Sequence, residues 1–152
     1  MTSPTIRRFA SATPPAIGAL VDAADEEGHP FVRRTVDEWA AGENRFDRPN
    51  EAFLLAELDG EVVGMCGINR DHHVDDPTVG RLRHLYVHPT QRGTGLGADL
   101  VAGCLDHAVG RFRLVRLRTP GAAADRFYDN LGFDRSASDT ATHELKLPVG
   151  LA

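Results

Sequence analysis

The sequence predicts one α/β (α+β) domain, a mixed sheet covered by helices, with elements in the order βααβββαβαββ. Three observations predict it. "AFLLAELDGEVVGMCGI" places two β-rich runs around Asp59-Gly60, a two-residue hairpin signal. "RLRHLYVHPTQRGTGLGADL" passes from a strand through three glycines into a helical pattern. The chain has 152 residues, 41% apolar and 26% charged, which suits a single domain over residues 1–152 with one sizeable core.

In order, "TIRRF" reads as a short first strand. "TPPAIGALVDAADEEG" opens with prolines suited to a helix start, closes at Gly28, and spaces Ile17, Leu20, Val21 and Ala24 on one face. A second helix is expected from about Pro30 to Gly42, with Phe31, Val32, Val36 and Trp39 as its apolar stripe. After the hairpin, "NRDHHVDDPTVG" is a polar loop, and "RLRHLYVH" is a strand stopped by Pro89. The next helix shows Leu96, Leu100, Val101, Cys104, Leu105 and Ala108 on one side. "LVRLRT" is a strand and "AAADRFYDNLG" a short helix ending at Gly132. Phe133 onward and "ATHELKL" form the last two strands.

No apolar run is long enough to span a bilayer, and "MTSPTIRRFA" lacks a signal peptide's apolar segment, so no membrane partner is expected and a cytoplasmic address is the default. Cys66 and Cys104 have neither disulfide-framework nor metal-ligand spacing and read as small core residues. "DHHVDD" likewise frames no metal, and none is expected. The net charge of −5 argues against a nucleic-acid partner bound by bulk charge. Seven arginines against two aspartates give Gly80–Arg118 a surplus of +5, leaving −10 on the rest. That segment suits an anionic ligand.

The strand from Leu82 to Val87 is out of phase. Positions 85 and 87 share a face but 82 does not, unless one extra residue forms a β-bulge between 82 and 85. A central strand buried on both faces is the other reading. The glycines that follow free the main chain to close N–H groups around a phosphate. Residues 93 to 98 satisfy a dinucleotide G-x-G-x-x-A pattern, yet "HPTQR" separates strand from glycine, "RLRT" offers no ribose-binding acid, and a hairpin precedes rather than βαβ units. The alternative is the diphosphate of a longer acyl carrier.

"RGTGLG", Arg92 to Gly97, resembles the R/Q-x-x-G-x-G/A signature of GNAT-type N-acetyltransferases, with "LYVHP" before it and an amphipathic helix after. About 30 residues on, "RFYDNLGF" is similar to that family's "fYeklGF" segment. "EG..F..R...EW", "RLRHLYV" and "ATH" further resemble a bacterial subgroup of unnamed substrate. The resemblance implies a mostly antiparallel sheet with a bulged, splayed fourth strand. It implies acetyl-CoA as co-substrate and no metal. Amides from Gly93 through Thr94, Gly95, Leu96 and Gly97 to Ala98 would hold the diphosphate, with Arg92 adding charge. Leu85 and Val87, with Tyr86 between them, would offer main-chain groups to the pantetheine arm. The Val87 N–H would face the thioester oxygen, and Tyr128 would give a proton to the departing thiolate.

Two positions depart from the family pattern. Arg81 stands where many relatives carry a glutamate base, and an arginine cannot serve as one. Gly121 stands where an asparagine often touches the coenzyme, seven residues before the tyrosine. His84, His72, His73 and His143 are the titratable alternatives as base, with water as a further route. Arg81 and Arg83, if they face the cleft, would pair with a carboxylate on an amino-acid-like acceptor. Phe31, Trp39 and Phe46 either wall the acceptor groove or pack the core, core being the better reading for Trp39. The loop at 71–76 sits where a lid would. The expected function is direct acetyl transfer to a primary amine of a small molecule or peptide, by a monomer or homodimer. The alternative is a non-catalytic acyl-CoA-binding sensor or interaction module of the same fold.

Overall fold

The computed structural model describes residues 3–148. The described residues form seven strands and four α-helices: β1 (Thr5–Arg8), α1 (Gly18–Glu26), α2 (Phe31–Ala41), β2 (Ala52–Leu58), β3 (Glu61–Arg70), β4 (Val79–Val87), α3 (Leu96–Ala108), β5 (Leu114–Leu117), α4 (Ala122–Asn130), β6 (Asp134–Arg135) and β7 (His143–Lys146). This is the expected element order. One sheet runs β1-β2-β3-β4-β5-β7-β6, and every pairing is antiparallel except β4 with β5.

The hairpin between β2 and β3 turns at Asp59 (φ 53°) and Gly60 (φ 82°), two left-handed residues that match the twist of the flanking strands. β2 is covered on both faces. Leu54 packs with α3, while Phe53 and Leu55 face α1 and α2. One core layer thus joins Leu54, Ile68, Leu100, Cys104 and Val115. The other joins Leu20, Val32, Trp39, Phe53 and Met65. Trp39 is fully buried and its indole N–H donates to the Ser11 carbonyl (2.8 Å), so its role is core packing.

Three boundaries differ from the sequence reading. α1 begins at Gly18 rather than at the prolines, because Ile17 N–H turns back to the Pro15 carbonyl (3.0 Å) and delays the first helical turn. β3 and β4 extend into the polar loop, which Asp71 N–H closes onto the Val79 carbonyl (2.9 Å). β6 is only two residues long.

Candidate active site

β4 and β5 pair only where Val79, Gly80 and Arg81 face Leu114, Val115 and Arg116. Beyond Arg81 the two strands part. The bulge lies where the phase slip places it: Met65 faces Tyr86 and Gly67 faces Arg83, so one residue of β3 opposes both His84 and Leu85. His84 takes the left-handed conformation (φ 62°) that absorbs the extra residue. Leu82, Leu85 and Val87 then all join the α3 side of the core. Past the bulge, His88 N–H donates to the Val63 carbonyl (2.8 Å) and Tyr86 faces Met65. Antiparallel alternation therefore turns the main-chain groups of Leu85 and Val87 toward the gap.

At the end of β4 a 3₁₀ turn (Pro89–Gln91) leads into the glycines. Gly93 (φ 76°) and Gly95 (φ 87°) are both left-handed, and Gly95 caps the start of α3. Among the described residues the N–H groups from Gly93 to Ala98 have no acceptor. Six consecutive free amides at a helix start form a concave donor surface suited to a diphosphate. Arg92, Gly93, Gly95, Leu96, Gly97 and Ala98 line one end of a cleft of about 1070 Å³. Thr94 does not line it; its hydroxyl donates to the Gln91 carbonyl (2.6 Å). Leu85, Tyr86 and Val87 form one wall, and Leu117, Phe127 and Tyr128 the other.

Tyr128 is the single buried residue of α4, 8% exposed, although it lies one step off the Phe127–Leu131 apolar pair. Its ring packs against Phe127, Phe133 and His143. Its hydroxyl has no hydrogen-bond partner among the described residues. Burial pushes its pKa well above the ordinary phenol value. The phenol therefore stays protonated at every working pH.

The opposite face of β4 carries His84 and Tyr86, packed against the start of α2. His84 lies edge-on to Phe31 and Phe46 and shares a hydrogen bond through Nδ1 with the Thr35 hydroxyl, which itself donates to the Phe31 carbonyl (2.9 Å). Nδ1 therefore carries the proton. Burial, with Arg83 and Arg34 nearby, pulls the ring's pKa down to about 3. So weak a base is poorly matched to an ammonium. His72, His73 and His143 do not line the cleft; His143 is fully buried, with Nε2 on Asp129 (2.9 Å).

Arg81, Arg83, Arg92 and Arg118 all line the cleft, and among the described residues no Asp or Glu does. Arg81 is not free for an acceptor. It shares the fully buried Asp71 (3.3 Å) with Arg116 (3.0 Å), and Arg116 also reaches Ser138 and Thr140. Those ties anchor Asp71, the first residue of the 71–76 loop, at the root of the gap. Arg92 meets both oxygens of Glu27 at 2.6 Å and sends Nε to the Val87 carbonyl (3.2 Å). Tyr86 also donates to Glu27. Arg92 and Tyr86 hold the Glu27 carboxyl at about 2, and burial and Glu27 push Tyr86 up to about 12. Sequence reasoning missed Glu27 and Asp71. Glu27 opens the "EG..F..R...EW" segment and Asp71 the "DHHVDD" loop, yet neither segment shows the pairing, because Glu27 meets Arg92 across 65 positions and Asp71 meets Arg116 across 45.

A bulged strand parting from its parallel neighbour beside a free-amide helix start defines the class by its architecture. The model of the acetyltransferase (GNAT) family matches residues 17–133, and the chain belongs to that family. A mycothiol acetyltransferase of Sanguibacter keddieii is 40% identical over 94 residues, 58% of this chain and 30% of that protein. Other curated relatives are matched over no more than 65% of their length. The crystal structure of a protein assigned as an acetyltransferase from Exiguobacterium sp. 255-15 superposes with a TM-score of 0.84 at 25% identity, covering 95% of this chain and 94% of that one. A Salmonella typhimurium protein solved with acetyl-CoA shares the fold at a TM-score of 0.68 and 20% identity, covering 99% and 98%.

Proposed function

We propose that this chain transfers the acetyl group of acetyl-CoA, a substrate consumed in the reaction, directly to a primary amine within a ternary complex. The observation that carries this reading is the run of free amides from Gly93 to Ala98, placed where β4 and β5 diverge. The amides would take the diphosphate. The main-chain edges of Leu85 and Val87 would pair with the amide-bearing arm. Arg92 reaches the same end of the cleft, although Glu27 already balances its charge. The coenzyme fits this chain without the asparagine that Gly121 replaces, since the donors are main-chain.

The amine nitrogen attacks the thioester carbon, and the carbon–sulfur bond breaks. The Val87 N–H stabilises the charge growing on the thioester oxygen. The thiolate takes the Tyr128 proton, and the second proton that the nitrogen loses as the amide forms returns, through solvent, to the phenolate. A free phenol near ~10 is a weaker acid than a thiol near ~8.5, but the same apolar surroundings raise the proton affinity of the sulfur as well. No carboxylate lines the cleft to act as base. A cleft rich in arginine disfavours the ammonium form, so the amine sheds its proton to water before it attacks. Positioning then supplies much of the rate. A covalent acyl-enzyme is disfavoured, because Cys66 and Cys104 are fully buried and burial raises the Cys66 thiol.

The missing carboxylate is also what a binding-only module would show. Release of free thiol from acetyl-CoA across a library of primary amines separates the two. Amine-dependent release is expected; CoA binding without release from any amine would support the sensor.

A further inference from the structure

We propose that the acceptor amine carries an anionic group, a carboxylate or phosphonate, and that Arg83 holds it. This rests on the acetyltransferase reading and names the chemistry of its second substrate. Of the four arginines lining the cleft, three are engaged by the chain itself: Arg81 by Asp71, Arg92 by Glu27 and Arg118 by the Asp139 carbonyl (2.7 Å). Arg83 has no hydrogen-bond or ion-pair partner among the described residues, yet it is half-buried in the cleft wall. A partly desolvated guanidinium with no counter-charge is costly, and a bound anion relieves that cost.

Its position separates it from the diphosphate. Leu82 packs on the α3 side, so strand alternation sends Arg83 to the α2 side. Its partner Gly67 lies against the Phe46 ring on that face. The free amides lead into α3 on the opposite face. Along the strand, Arg83 faces Gly67 and Val87 faces Gly64, three positions of β3 or ~10 Å. An amine at the Val87 end and an anion a few bonds away can address both groups. Arg34, on α2, is likewise without an ion-pair partner among the described residues. Both arginines lie close enough to His84 to oppose its protonation. Phe31 supplies an apolar wall there.

The test titrates glycine, β-alanine and 2-aminoethylphosphonate, against propylamine and ethanolamine, into protein saturated with CoA. Binding is read by calorimetry, and turnover by thiol release with acetyl-CoA. The anionic amines are expected to lead the neutral ones by about tenfold to a hundredfold in Kd and in kcat/KM. Arg83→Ala is expected to collapse that ratio, and Arg83→Lys to restore part of it; CoA titration of each variant confirms a folded site. A lead shown by only the carboxylates or only the phosphonate supports the proposal and identifies the anion. Neutral and anionic amines behaving alike in the wild type, or a preference that survives Arg83→Ala, overturns it. Turnover of all amines without preference leaves acetyl transfer standing and removes the anion site. Arg83-dependent binding without any turnover keeps the anion site and removes acetyl transfer.

Discussion

Arg92 and Glu27 face each other through two hydrogen bonds of 2.6 Å, which tie the loop after β4 to the end of α1. Sixty-five residues apart in sequence, they hold the turn that leads into α3 against the end of α1.

This pair makes stability depend on pH. The Glu27 carboxyl is held at about 2 against an ordinary 4.5, chiefly by Arg92. A depressed carboxyl contributes stability above its free value and loses it as pH falls through the folded one, so the window is pH 4.5 down to 2. The side chains are 46% and 29% exposed, so solvent screening limits the pair to about 1 kcal/mol. Glu27→Gln is expected to lower the urea midpoint at pH 7 and to match the wild type near pH 2; equal midpoints at pH 7 would show that the pair adds nothing.

Removing the Tyr128 hydroxyl breaks no bond within the protein. Tyr128→Phe is therefore expected to fold and to bind CoA as the wild type does, while kcat falls by roughly 10²-fold or more. Thiol release under saturating acetyl-CoA reads the loss. Unchanged kcat would return Tyr128 to packing.

Asp71 is fully buried between Arg81 and Arg116. Asp71→Ala leaves two desolvated guanidinium groups unbalanced and is expected to cost about 3–5 kcal/mol. Urea unfolding measures it. A loss under about 1 kcal/mol would mean water reaches the pair and screens it.

His84 titrates in the folded protein at about 3, far below the ordinary 6.5, because burial disfavours its charged form. The unfolded chain therefore takes up the proton first. The neutral ring's contribution is present above pH 6.5 and is lost as pH falls toward 3. His84→Asn keeps a residue tolerant of φ 62° and removes the titration. Its midpoint is expected to fall less steeply between pH 7 and 4. A slope equal to the wild type's would assign the loss to other groups.

Leu82 breaks step with Leu85 and Val87, which admits a bulge or a strand buried on both faces, and the register of β3 against β4 decides for the bulge. The turn into α3 was legible because its glycines interrupt a strand pattern just before a helical one begins. The hairpin turn at Asp59-Gly60 follows from local backbone preference alone. The ionic partnerships were not legible. Arg116 reaches Asp71 across 45 positions, and only the folded register of β4 against β5 brings them together. For the same reason Arg81 and Arg83 looked equivalent in sequence, and only the fold separates the engaged one from the free one. Tyr128 lies off the helix stripe yet is the deepest residue of α4, because the neighbours that bury it, Phe133 just before β6 and His143 in β7, come from later in the chain.

The grip assembled from Gly93 to Ala98 has no side chain to lose. An alanine scan through this segment is expected to register at Gly93 and Gly95, whose dihedral sign disfavours a methyl group, and at Leu96, whose side chain packs in the core. On the proposed function, affinity for the coenzyme is written in the course of the chain rather than in its alphabet, leaving neighbouring letters free to drift.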